Sequence, residues 1–146
     1  MRDVQTRMAD VQAALGRQAD IWIASADDAG RPHLIAVSAW WDGVEIVMAT
    51  TAASRTARNL NQNPSVRLAL GTPADAIVID ARVIASMPVG ESPEVAAGFA
   101  KAVGWDPREA GAGWSFFRFK PTRIQAYRGY DELEDRDVMR GSRWLE

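Results

Sequence analysis

The sequence contains no cysteine and only one histidine, His33. Without cysteine, the chain has no disulfide bond, thiolate metal site, iron–sulfur cluster or cysteine nucleophile. One histidine excludes a multi-histidine metal site, and no metal site is predicted. Because His33 follows Pro32 at the start of a predicted strand, we expect it at the surface or at a sheet edge rather than as a catalytic base or haem ligand. No catalytic side chain is identified.

Long apolar runs and lysine are also scarce. No apolar run approaches the roughly 18 residues needed to cross a membrane, and residues 1–16 are too polar for a secretory signal, so we expect a cytoplasmic protein. The 15 arginines far outnumber the lysines, Lys101 and Lys120. An anion site would therefore use arginines, hydroxyls and backbone N–H groups. The net charge of −2 argues against nucleic acid as a partner.

Length and composition predict one globular domain spanning residues 1–146. The chain is 47% hydrophobic and 25% charged, the usual balance for such a domain. Residues 1–16 are expected to hold an N-terminal helix. Residues 129–146 form a charged C-terminal tail that carries Trp144.

Three helices are predicted from apolar spacing and capping residues. The first runs from Asp3 to Leu15, with Gly16 as its C-cap. The second spans residues 54–63, with Ser54 as its N-cap. The third begins at Ser92 and ends at Val103, before Gly104. The strands are predicted at residues 20–26, 33–41, 45–50, 65–70, 76–87 and 115–128, the last interrupted at Pro121.

The order of these elements favours an antiparallel sheet. Asp42-Gly43 between two apolar runs is a strong hairpin signal. A parallel sheet would need a helix after nearly every strand, and there are too few. We therefore predict a mainly β fold with flanking helices: a six-stranded antiparallel Greek-key barrel.

The segment from Thr50 to Leu60 carries the clearest chemical signal. A strand ends in threonines, and a helix then begins with Ser54, Arg55 and Thr56. A cation in the first turn of a helix opposes the helix dipole, and an anion bound there would reverse that penalty. The alternative is a capped surface helix with a solvated arginine, and the segment alone leaves both open.

With its surroundings, this segment resembles the pyridoxamine 5'-phosphate oxidase-like family of flavin-binding split β-barrels. The matching residues are Ser54-Arg55-Thr56, Asn59-Leu60, Asn63 to Val66, Gly30 to Val37 with Trp41 to Gly43, and Pro121 to Tyr127. Thr56 stands where the family often has a lysine that helps to hold the cofactor phosphate.

The resemblance implies a homodimer that binds one flavin mononucleotide (FMN) in each of two clefts at the subunit interface. The phosphate would lie at the start of the second helix and the flavin ring along the second and third strands. The deazaflavin coenzyme F-420, which related split barrels bind, is the alternative cofactor. The implied cofactor-binding residues are Val37, Ser38, Ala39, Ala49, Thr50, Ser54, Arg55, Thr56, Arg58, Tyr127 and Trp144.

The function implied is an FMN-dependent oxidoreductase acting on a small molecule that the sequence does not identify. The alternatives are an F-420-dependent reductase, a non-catalytic flavin-binding protein, and a dimeric barrel with a vestigial cleft. The tail lacks the substrate motif of the enzyme that names the family, so pyridoxamine phosphate oxidation is not expected. We predict that Trp144 folds over the cofactor cleft, the alternative being that it docks on the barrel wall.

Overall fold

Three α-helices and eight β-strands make up most of the chain in the computed structural model, which describes residues 1–146. No helix combines the length and the apolar character needed to cross a membrane. The helices are α1 (Val4–Arg17), α2 (Arg55–Gln62) and α3 (Pro93–Val103). The strands are β1 (Asp20–Ala26), β2 (Pro32–Trp41), β3 (Ile46–Thr51), β4 (Ser65–Thr72), β5 (Asp75–Pro88), β6 (Trp114–Tyr127), β7 (Asp137–Arg140) and β8 (Arg143–Trp144).

The first six strands form a closed antiparallel barrel, which confirms the predicted fold class. Their order is β3-β2-β1-β4-β5-β6, and pairing between β3 and β6 closes the barrel. The predicted break at Pro121 is wrong, because β6 continues through it. Pro121 lies opposite Ala81, next to a register shift at which Thr122 is an extra residue in β6. Such an irregularity tolerates the missing N–H of proline.

Two other local predictions are corrected. Helix α1 runs past Gly16 and is capped at Gln18, whose N–H donates to the Ala14 carbonyl at 2.9 Å. The tail is not merely a charged stretch, because β7 and β8 within it extend the sheet beyond β6. Tertiary contacts decide both points: buried Val11, Ala14 and Leu15 hold α1 against the barrel.

The buried apolar residues form two clusters, one on each face of β3. Ile46 and Met48 face the barrel interior. Val47 and Ala49 face outward and are covered by α3 through Phe99. The neighbouring tryptophans of β2 divide in the same way, since Trp41 packs on the first cluster and Trp40 on the second. α3 therefore occupies the outer face of this part of the barrel.

Gly98 allows α3 to approach the Trp40 ring. A Cβ atom at Gly98 would lie 2.8 Å from Trp40 Cζ2 and closer still to Cη2. Gly98→Ala is therefore expected to lower the free energy of unfolding by about 1–3 kcal/mol, despite the better helix propensity of alanine. Urea denaturation measures this change. In a Trp40→Phe background, the substitution should lose most of its cost.

Gly16→Ala is the matched control, because Gly16 also lies in a helix but a Cβ atom there meets no other atom within 4 Å. It should raise the free energy of unfolding by about 0.5–1 kcal/mol. Equal changes in the two variants would show that Trp40 moves aside without cost.

Candidate functional site

The barrel is split between β2 and β3. These strands pair only where Ala39–Trp41 meets Ile46–Met48. Residues 32–38 of β2 pair only with β1, and residues 49–51 of β3 pair only with β6. The facing edges therefore carry backbone groups without a strand partner, and such groups are strong donors and acceptors. Helix α2 begins directly after β3, so its N-terminus lies beside this split.

Two hydroxyl groups meet at the start of α2. Ser54 caps the helix, and its Oγ accepts a hydrogen bond from the Ala57 N–H at 3.1 Å. The Thr50 hydroxyl donates to the same oxygen, also at 3.1 Å, and Thr50 is buried. The end of β3 and the start of α2 are thus held together by side chains that can also bind a polar ligand.

Two arginines in the first turns of α2 lack an acidic partner. Arg55 and Arg58 are exposed, and neither forms an ion pair. The first turn of α2 contains no acidic residue. The N-terminal helix dipole and two unpaired guanidinium groups therefore give this end of the helix a positive potential. Such an arrangement favours binding of an anion.

Thr56 and Asn59 face the protein rather than the solvent. Thr56 is 1% exposed, and its Oγ1 has no hydrogen-bond partner. The Asn59 side-chain amide donates to Ser25 Oγ at 3.1 Å and fastens α2 to β1. Sequence reasoning did not find Ser25, because a serine in an apolar strand carries no signal until its partner is known. His33 lies opposite Ser25 and is half-buried.

The residues predicted beside the flavin ring (Val37, Ser38 and Ala39) and near its ribityl chain (Ala49) present mainly backbone to the split. Val37 and Ala39 point towards the barrel core, and Ala49 is covered by α3. Ser38 faces outward, where its hydroxyl accepts a hydrogen bond from Trp105 Nε1 at 2.9 Å and donates to Asp20 at 3.2 Å.

Trp105 is the residue near β2 that sequence reasoning missed. Its ring packs edge-on against Phe99 and Trp114, with centroid distances of 5.7 and 5.2 Å. Together with its hydrogen bond to Ser38, these contacts anchor the segment after α3 to β2. The only available signal was an aromatic residue just after a helix, which does not identify its partner.

Tyr127 and Trp144 lie far from the start of α2 within one chain. β6 pairs Ser115 with Thr50 and carries Tyr127 twelve residues further on, roughly 40 Å along the strand. Trp144 pairs with Met139 and packs on the main apolar cluster. The tail is thus docked on the barrel wall of its own chain.

The comparison with known families agrees with this architecture. The sequence model described as pyridoxamine 5'-phosphate oxidase matches residues 8–128. The chain belongs to the pyridoxamine 5'-phosphate oxidase family. No curated protein matches the sequence. The matched range includes the split and α2 but not the tail with Trp144.

Solved structures show the fold of this pyridoxamine 5'-phosphate oxidase family member at low sequence identity. An F420 reductase is 19% identical, with a TM-score of 0.66 over 77% of this chain and 94% of its own. An FMN-binding protein from Syntrophomonas wolfei is 14% identical, with a TM-score of 0.68 over 86% and 89%. A conserved hypothetical protein from Mycobacterium tuberculosis is 22% identical, with a TM-score of 0.62 over 82% and 83%.

Proposed function

We propose that this chain is an FMN-dependent oxidoreductase acting on a small molecule. The observation that carries the proposal is the start of α2, where Arg55 and Arg58 lack acidic partners beside the paired hydroxyls of Thr50 and Ser54. A phosphate group matches this set, because guanidinium forks, hydroxyls and helix N–H groups are its usual partners.

The phosphate end would be held mainly by Arg55, with Arg58 assisting from the next turn. Thr50 and Ser54 would contribute their hydroxyls. Thr56 Oγ1 is buried, faces the protein and has no hydrogen-bond partner, so it would not contact the phosphate directly. The set therefore fits a phosphorylated cofactor.

The free edges of β2 and β3 would hold the rest of the cofactor. Val37, Ser38 and Ala39 would contact the ring through backbone groups, and Ala49 would do the same near the ribityl chain. When bound, the isoalloxazine ring supplies hydride or electron transfer. The chain's part is to orient the ring through these edges and to exclude water with the packed residues behind them.

The deazaflavin coenzyme F-420 is the second candidate cofactor, because one structural relative is named an F420 reductase. Mass spectrometry of the cofactor that co-purifies with the protein separates the two. Titration of the cofactor-free protein with FMN and with F-420 is the second test. Binding of neither compound would contradict the proposed function. A bound cofactor that no reductant or oxidant turns over would leave a flavin-binding protein instead of an enzyme.

An apolar row on the outer face of the barrel supports a homodimer. Ala36, Trp22, Ala69 and Val78 lie opposite one another across four adjacent strands, on the outward side. Trp22 is 51% exposed and Leu34, on the same face, is 61% exposed. A second copy of the chain would cover this face. Tyr127 and Trp144, distant from α2 in their own chain, would then contribute to the site of the other subunit.

We expect light scattering to report about twice the mass of one chain at micromolar concentration. The interface should bury more than about 2,000 Å², as in obligate dimers. Combining Trp22→Glu with Leu34→Glu should yield a monomer, because two charges would replace the apolar contacts. Val44→Glu is the control, since Val44 is an exposed apolar residue in the turn between β2 and β3. A monomeric wild-type protein would contradict the interface and the shared site.

A further inference from the structure

Arg7 is a buried arginine without an acidic partner. Its side chain on α1 is 6% exposed. One guanidinium nitrogen, Nη1, donates to the Ala126 carbonyl at a long 3.3 Å, and the buried Nε has no partner. The structure contains no ion pair to Arg7. A buried charge is normally paired, because taking it out of water without a partner is costly.

Arg7 also lines a cavity of about 470 Å³ between α1, β6 and the tail. Three further arginines line the same cavity: Arg123, Arg136 and Arg140. The volume lies within the range of small-molecule sites. The unpaired buried guanidinium of Arg7 indicates a missing anion, and the cavity that it borders has room for one.

The acidic residues that line the cavity do not form ion pairs with all four arginines. Asp137 is shared, accepting hydrogen bonds from Arg123 Nε at 2.8 Å and from Arg140 at 3.0 and 2.9 Å. Arg136 donates to the Leu133 carbonyl at 2.6 Å and forms no ion pair. Arg7 and Arg136 are therefore the cations that a ligand could pair with.

We propose that this cavity binds a small organic anion, with a carboxylate or phosphate group held by Arg7 and Arg136. Glu134, Asp135 and Glu146, which also line the cavity without an ion pair, would repel a purely anionic ligand. They favour a molecule that also carries a hydroxyl or amine donor. The site is separate from the start of α2 in the same chain, since Arg123 lies eight residues beyond Ser115 on β6.

Thermal unfolding in matched salts tests the proposal. The midpoint is measured in inorganic phosphate, in malate, which carries a hydroxyl donor beside its carboxylates, and in chloride, all at equal ionic strength. At about ten times the dissociation constant, a specific anion should raise the midpoint by roughly 3–6 °C for a chain of this length. A larger rise in phosphate than in malate, or the reverse, identifies the preferred acidic group. Equal midpoints in all three salts would overturn the proposal.

Arg7→Met is the decisive variant. Because methionine removes a buried unpaired charge, the anion-free protein should remain folded and keep or raise its midpoint. The response to the effective anion should be lost. Arg17→Met is the matched control, since Arg17 lies on the same helix, is exposed and forms no ion pair. The anion response should survive in this control.

Two further measurements separate this cavity from the proposed cofactor site and from the dimer interface. Arg55→Ala should keep the Arg7-dependent anion response, and Arg7→Met should keep FMN binding. Persistence of the full response in Arg7→Met would overturn the cavity as its source. An unfolding midpoint that rises with protein concentration in the wild type but not in Arg7→Met would assign Arg7 to contact with a second chain instead.

Discussion

Arg55→Ala is expected to weaken FMN binding by about 10- to 150-fold. A hydrogen bond to a charged group contributes about 1.5–3 kcal/mol, which corresponds to that range of dissociation constants. Arg55 should contribute the largest share because its neighbour Thr56 is buried and uncharged, and Arg58 lies one turn further along the helix. The fold should survive, since an exposed arginine without an ion pair contributes little to the core.

Titrations of the cofactor-free protein with FMN and with riboflavin, which lacks the phosphate, give the sharpest test. The wild type should prefer FMN strongly, and Arg55→Ala should lose most of that preference. Arg17→Ala removes an equivalent exposed cation on α1 and should leave the preference intact. If Arg55→Ala binds the two ligands in the wild-type ratio, Arg55 does not contact the phosphate and the site is misplaced.

Glu132→Gln is expected to lower the free energy of unfolding by about 3–5 kcal/mol, as for other broken buried ion pairs. The Glu132 side chain is 3% exposed and accepts four hydrogen bonds. Oε2 accepts from the Arg2 backbone N–H and from Nε, at 2.8 and 3.1 Å. Oε1 accepts from Arg2 Nη2 at 2.8 Å and from the Arg128 N–H at 2.7 Å. A glutamine side chain has one oxygen and one NH2 group. In either orientation its NH2 group would face two N–H donors of Arg2 or Arg128, which would then lack an acceptor.

The same contacts make the free energy of unfolding depend on pH. Hydrogen bonds from Arg2 outweigh the effect of burial and lower the pKa of Glu132 from 4.5 to about 2. A carboxylate with a lowered pKa in the folded state stabilises it fully above the unfolded-state value. This contribution should therefore be complete above about pH 4.5 and be lost as the pH falls towards 2. Urea denaturation across this range measures it.

Glu91→Gln is the matched control, because Glu91 is exposed and forms no ion pair. It should leave both the stability and its acid dependence unchanged. A Glu132→Gln protein that retains the wild-type acid dependence between pH 4.5 and 2 would show that other carboxylates cause it.

Elements bounded by local signals were predictable from the sequence. α3 begins after Ser92, whose side chain caps Val95, and ends at Gly104 with a φ of 84° that favours glycine. The hairpin at Asp42-Gly43 and the Ser54 cap are local in the same way. The end of α1 was not predictable in this way, because Gly16 keeps helical geometry when its buried neighbours hold the helix against the barrel. The continuation of β6 through Pro121 was not predictable either, because it depends on the register shift at Thr122, which only the pairing with β5 reveals.

In the candidate site, too, local signals placed some residues and contacts between distant segments placed the others. Ser54 and Thr50 are four residues apart, so a capped helix after a strand end places them together. The hydrogen bond between Trp105 and Ser38 spans 67 residues, and no local pattern indicates it. Which of the neighbouring residues Val37 and Ser38 faces outward depends on which face of β2 is turned towards the barrel interior when the barrel closes. The positions of Tyr127 and Trp144 depend on how β6 and β7 pair.

By itself, the sequence determined the antiparallel barrel class, most of its element boundaries and the positively charged start of α2. Periodicity, caps and turns act over a few residues, so they are visible without coordinates. Only the tertiary structure decided how far β2 and β3 pair, the burial of Arg7 beside a cavity, and the shielding of Ala49 by α3. These features arise from contacts between distant segments, whose free energies depend on the packing of the whole barrel.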